Sequence, residues 1–136
     1  MAMRLATGQP RAYEAVDEVD EASSAPNFQM LIYAGAMQES DYRNAPGSPS
    51  PSFLVSAQDD QCLSVQEVER YADFLRGRGG DVDLRVFPDG GHGYGTCSMY
   101  TMSGGWQSVC DWPAHAKSFV DRLWGGGGGS TPPAPR

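Results

Sequence analysis

SFLVSAQDDQCLSVQEVERYADFLRGRGGDVDLRVFPDGGHGYG, Ser52 to Gly95, changes its hydrophobic period twice, and those changes decide the fold. Ser52 to Ala57 is mostly a continuous apolar run, the pattern of a strand covered on both faces in a parallel sheet. From Ser64 the period lengthens. Val65, Val68, Tyr71, Ala72 and Leu75 recur at helical spacing, and Ser64 and Glu67 stand at capping-box positions. Arg76 and Arg78 suit the C-terminal dipole of that helix, and Gly79 and Gly80 end it. In Val82 to Phe87, Val82, Leu84 and Val86 alternate with Asp83 and Arg85, so this second strand has one wetter face and lies nearer an edge. Strand, helix and strand in this order imply parallel pairing through a right-handed crossover.

Working outward, FQMLIYAG (Phe28 to Gly35) reads as a further buried strand, and ESDYRNAPGSPSPS (Glu39 to Ser52) as a surface connection. RAYEAVDEVDEAS, from Arg11, predicts a helix with a thin stripe of Tyr13, Val16 and Val19. A last helix is expected from about Asp111 and Pro113, with Trp112, Ala116, Phe119, Val120 and Leu123 on one face. GGGGGSTPPAPR, from Gly125, has no apolar residue to anchor it and reads as a flexible tail, leaving residues 1–124 for one folded unit. The expectation is an α/β fold of about three parallel strands with flanking helices. Such a sheet is small, and its first strand would present an unpaired apolar edge open to self-association.

The chain has 136 residues, ten Lys and Arg, and a formal charge of −7, which speaks against a nucleic-acid partner because the basic residues are few and scattered. No apolar run approaches the roughly 18 residues of a membrane span, and no charged N-terminal region precedes an apolar stretch as in a signal peptide. Cys62, Cys97 and Cys110 are odd in number. Cys97 and Cys110 could close a loop of about 14 residues, worth roughly 3 kcal/mol in an oxidising compartment, or could equally stay reduced. Cys62 reads as a small buried apolar residue.

In open α/β sheets, functional groups collect beyond the carboxyl ends of strands. Here one strand delivers Asp59 and Asp60, and the next delivers His92 in PDGGHGYG. A carboxylate bonded to one imidazole nitrogen fixes the tautomer that makes the other a base. A polar turn capping the helix is the plainer reading of the two aspartates taken alone. Pro51 to Gly95 resembles the last third of an α/β-hydrolase of the dienelactone hydrolase, acetyl esterase and prolyl oligopeptidase kind, in which a strand ends in an acid and the next strand leads into Gly-Gly-His-Gly. The resemblance extends over roughly Ala12 to Leu123. It implies His92 as general base and Asp60 as orienting acid, with Asp59 the fallback, and Ser64 replaces the proline usual after the acid.

The nucleophile of that family sits in a G-x-S-x-G turn, and this sequence has none. Ser56 lies within a strand, Ser64 at a helix start, and Ser103 after the histidine, out of order. MAMRLA resembles the continuation of the family's nucleophile helix, which puts the serine just before Met1. The resemblance therefore implies hydrolysis of a small-molecule or polysaccharide ester by a protein of which this chain is the C-terminal part. The alternative is an inactive fragment, or a non-catalytic α/β domain acting through a partner. Tyr94, Tyr100 and Trp106 are candidate substrate contacts around GTCSMYTMSGGWQSVC, with ordinary loop aromatics covering the core as the plainer reading. A metal site from His92, Asp59, Asp60 and a cysteine finds no helical His pair and no Cys-x-x-Cys, so no metal and no cofactor is expected. GGHGYG does not meet the spacing of a nucleotide-phosphate loop.

Overall fold

The computed structural model describes residues 13–22, 25–35, 39–43, 47–97 and 107–125. Strand β1 is Gln29–Ile32, β2 Ser52–Ala57 and β3 Val82–Phe87; helix α1 is Val65–Gly77 and α2 Trp112–Gly125. The three strands form one parallel sheet in the order β1-β2-β3. Gln29 pairs with Ser52 and Ser52 with Val82, so all three strands start level, and the carboxyl ends of β2 and β3 finish together at Ala57 and Phe87.

Every residue of central β2 is buried, as its continuous apolar run predicts. Alternation along it splits the core in two. Leu54, with Leu31 from β1, packs against Val68, Tyr71, Ala72 and Leu75 of α1. Phe53, Val55 and Ala57 face the other way, onto Val109, Ala116 and Phe119 at and within α2. All five residues of the predicted α1 stripe are buried. After α1 the amides of Gly79 and Gly80 turn back onto the carbonyls of Arg76 and Leu75, with Gly79 at φ +80. β3 is only half-buried and carries the Asp83–Arg85 ion pair on its surface, in keeping with an edge strand.

Several expectations need correction. Residues 13–22 form turns rather than a helix, and Tyr13, Val16 and Val19 are exposed. The Asp17 carboxylate takes the amides of Val19 and Asp20, and Asp20 takes that of Val16. These local acceptors compete with helical hydrogen bonding, and no apolar face repays it. Ser64 is the N-cap of α1 without a capping bond, because its hydroxyl donates to Gln66 Oε1 instead. The connection before β2 is not purely superficial, since Tyr42 is buried edge-on against Tyr71 and beside Phe74. β1 is shorter than expected and ends where Tyr33, at φ 42, turns the chain. Gly125, assigned to the tail, closes α2, and the rest of the tail lies outside the described residues. Among the described residues no helix is long and apolar enough to cross a membrane.

Candidate active site

The level strand ends put two loops side by side. After β2 the chain turns at once, with the Gln58 amide on the Phe87 carbonyl and the Asp60 amide on the Ala57 carbonyl. Asp60 then becomes the hub of its own loop. Its Oδ1 accepts the amides of Cys62 at 2.8 Å and Leu63 at 3.0 Å, while Oδ2 lies 2.9 Å from His92 Nδ1. The Asp60 side chain is 0% exposed and that of His92 37% exposed, so the acid is enclosed while the imidazole reaches solvent. Burial pulls the Asp60 pKa upward, but the bonds from His92, Cys62 and Leu63 outweigh it and hold the carboxyl below its ordinary range. An ionised carboxylate only accepts, which assigns the proton to Nδ1 and leaves the Nε2 lone pair free.

Asp59, the fallback acid, points elsewhere: its Oδ1 accepts the Gly91 amide at 2.8 Å. The two neighbours thus divide the work, one touching the imidazole and the other pinning the turn that carries it. That turn needs its glycines. Gly90 (φ +152) passes so close to the sheet that a Cβ there would lie 2.5 Å from Val109 Cγ1 and 3.2 Å from Ala57 Cβ, and Gly91 is at φ +60. The loop beyond β3 is also fastened to the turn Ser108–Asp111 and to the first residue of α2. Ser108 donates from its amide and hydroxyl to the Asp89 carboxylate, and Trp112 Nε1 donates to the Gly95 carbonyl at 2.8 Å. Cys97 and Cys110 are joined as a disulfide with their Cα atoms 5.5 Å apart.

Tyr94 is 2% exposed, so it is a core residue beneath the site rather than a substrate contact. It meets Tyr33 edge-on at 4.9 Å, and burial raises the pKa of its hydroxyl far above the usual phenol value. Tyr33 in turn meets the His92 ring edge-on at 5.4 Å. The expected strand Phe28 to Gly35 hid Tyr33 inside it, and only the earlier end of β1 at Ile32 brings Tyr33 to the site. Cys62 is exposed beside the site, not buried. Trp106, Tyr100 and Ser103 lie outside the described residues. Ser56 is buried in β2, and among the described residues no hydroxyl is bonded to His92.

An enclosed acid bonded to a solvent-facing imidazole, at adjacent ends of parallel strands, is an assembly for proton transfer. Residues 9–117, which include all three strands, Asp60 and His92, match the sequence profile of the prolyl oligopeptidase family. The chain belongs to that family. A search of the curated proteins found no significant match. Among solved structures, an α/β-hydrolase enzyme from a Medee basin deep-sea metagenome library shares 15% identity at a TM-score of 0.63, covering 89% of this chain and 49% of its own. An acetyl ester-xyloside bifunctional hydrolase from Caldicellulosiruptor lactoaceticus shares 20% at 0.58, covering 85% and 52%. A thermophilic esterase from Thermogutta terrifontis, propionate bound, shares 15% at 0.51, covering 85% and 51%. These likenesses establish the α/β-hydrolase fold for this member of the prolyl oligopeptidase family. The chain spans about half the length of the structures it matches.

Proposed function

We propose that this chain supplies the general base and the orienting acid of a serine hydrolase that cleaves carboxylic esters of small molecules or polysaccharides. The observation that carries the reading is the 2.9 Å contact between His92 Nδ1 and the enclosed Asp60 carboxylate. Two fold neighbours, an acetyl ester-xyloside bifunctional hydrolase and a thermophilic esterase, favour esters as the substrate class. The nucleophilic serine belongs to polypeptide preceding these residues. His92 Nε2 takes the serine proton as the oxygen attacks the ester carbonyl, and Asp60 stabilises the imidazolium that results. The imidazolium then gives that proton to the departing alkoxide. Water deacylates the enzyme by the same base in the second half-reaction.

The test uses a protein extended upstream to include a G-x-S-x-G serine. A fluorophosphonate probe labels the extended protein, and the present chain stays unlabelled. His92→Ala in the extended protein lowers p-nitrophenyl acetate hydrolysis by about 10³-fold or more. Labelling of the present chain, or full activity in His92→Ala, would overturn the assignment.

A further inference from the structure

The loop after β2 places a third reactive group beside the acid and the imidazole. A carboxylate oxygen of Asp60, the sulfur of Cys62 and a ring nitrogen of His92 all lie within 4.8 Å of one another. Spacing along the sequence could not reveal this set, because its members come from two loops rather than one helix. We propose that Asp60, Cys62 and His92 form a binding site for a thiophilic divalent cation such as Zn²⁺, and that occupation of this site and use of His92 as a base exclude one another.

The donor set suits such an ion. Thiolate, imidazole and carboxylate are the ligand types of zinc, and three protein ligands leave a fourth tetrahedral position for water. Thiolate and carboxylate together balance the charge of the ion. Two bonds of about 2.0–2.1 Å at a tetrahedral angle put oxygen and nitrogen about 3.3 Å apart. Asp60 Oδ2 and His92 Nδ1, now 2.9 Å apart, need separate by only a few tenths of an ångström to admit the ion in place of their shared proton. Cys62 has no disulfide partner and an exposed position, so its sulfur can close the remaining distance by a change of rotamer. The Asp60 carboxylate is already oriented by the Cys62 and Leu63 amides on its other oxygen, the kind of support that ligating carboxylates require.

The step balances without redox chemistry. Bonds form from the ion to sulfur, nitrogen and oxygen. The S–H bond breaks and its proton goes to solvent; the Nδ1 proton leaves and one is taken up at Nε2, so the imidazole stays neutral. Nε2 then carries a hydrogen and has no lone pair with which to accept one. This exclusion of base chemistry rests on the proposed role of His92, whereas ion binding does not.

The chain as given, with its disulfide intact, provides the test. Titration with CoCl₂ is expected to produce a thiolate-to-cobalt charge-transfer band and the intense visible bands of four-coordinate cobalt, and ZnCl₂ is expected to bind at one ion per chain and displace it. Cys62→Ser removes the charge-transfer band and weakens zinc binding at least about tenfold, as does His92→Ala, while His115→Ala changes neither. Far-UV circular dichroism identifies any variant that fails to fold, and the exposed Cys62→Ser decides the matter alone if His92→Ala is lost. Absence of a thiolate band in the wild-type chain, or unchanged zinc affinity in Cys62→Ser, overturns the site. In the serine-containing extended protein, ZnCl₂ is expected to suppress fluorophosphonate labelling, and Cys62→Ser to abolish that suppression. Zinc binding without suppression overturns the exclusion, whereas no labelling even without zinc tells against the hydrolase reading and leaves the site standing.

Discussion

Asp60 and Asp59 are chemically identical neighbours with separate fates, because one carboxylate closes on its own loop and on His92 while the other reaches across to Gly91. Their difference gives two predictions. In an extended, serine-containing protein, Asp60→Asn lowers kcat by about 10³–10⁴-fold, since the amide can donate to Nδ1 and stabilise the wrong tautomer, while Asp59→Asn has a far smaller effect. Steady-state ester hydrolysis by the two variants checks this. The second concerns acid. The Asp60 carboxyl titrates below its ordinary range in the folded chain, so its stabilising contribution is complete above the ordinary carboxylate range and is lost as pH falls through the lower native value. The urea midpoint of wild type therefore exceeds that of Asp60→Asn by most near about pH 6, and the gap closes toward about pH 3. At this scale His92 and Asp60 were legible because strand ends and a glycine turn mark them. Tyr33 and Tyr94 were not, because which aromatic lies under the imidazole depends on the register of β1 against β2.

The loop from Pro88 to Cys97 behaves as an appendage of α2 fitted over the end of the sheet. Gly90→Ala drives a Cβ into buried Val109 and is expected to cost about 1–3 kcal/mol. Val109→Ala in the same chain recovers part of that loss and leaves the backbone strain, so a double-mutant cycle by thermal or urea unfolding shows positive coupling. Replacing both Cys97 and Cys110 by Ala is expected to remove roughly 3 kcal/mol, read from the shift in urea midpoint. The elements themselves were legible wherever burial sets the period. α1 buries Val65, Val68, Tyr71, Ala72 and Leu75, and β2 is enclosed on both faces. The segment 13–22 misled because Tyr13, Val16 and Val19 match a helical stripe but meet no core, which periodicity alone does not disclose. Tyr42 misled in the opposite sense, being an aromatic in a Pro- and Ser-rich connection that fills a gap beside Tyr71.

At the scale of the whole molecule, the chain spans about half the length of the α/β-hydrolase structures it matches. Among the described residues β1 has one strand neighbour, and its other edge is free. We propose that a second copy of the chain occupies this edge when the chain stands alone. Light scattering during size exclusion is then expected to give a mass that rises with concentration, and the extended protein to run as a smaller assembly relative to its chain mass. A constant monomer mass over the concentration range sinks the idea. The fold class was legible from three short strands and two helices, whereas the Asp60–Cys62–His92 cluster required the loops to be set side by side in space. Three fastenings of the histidine loop, at Asp89, Gly95 and Cys97, run to Ser108, Trp112 and Cys110 around the entry to α2, while a fourth ties the Gly91 amide to Asp59 in the loop after β2. The base thus straddles two cooperative units, and native-state hydrogen exchange is expected to show the histidine loop loosening when the last helix lifts from the sheet, with the Gly91 amide, held by Asp59, keeping its protection longest.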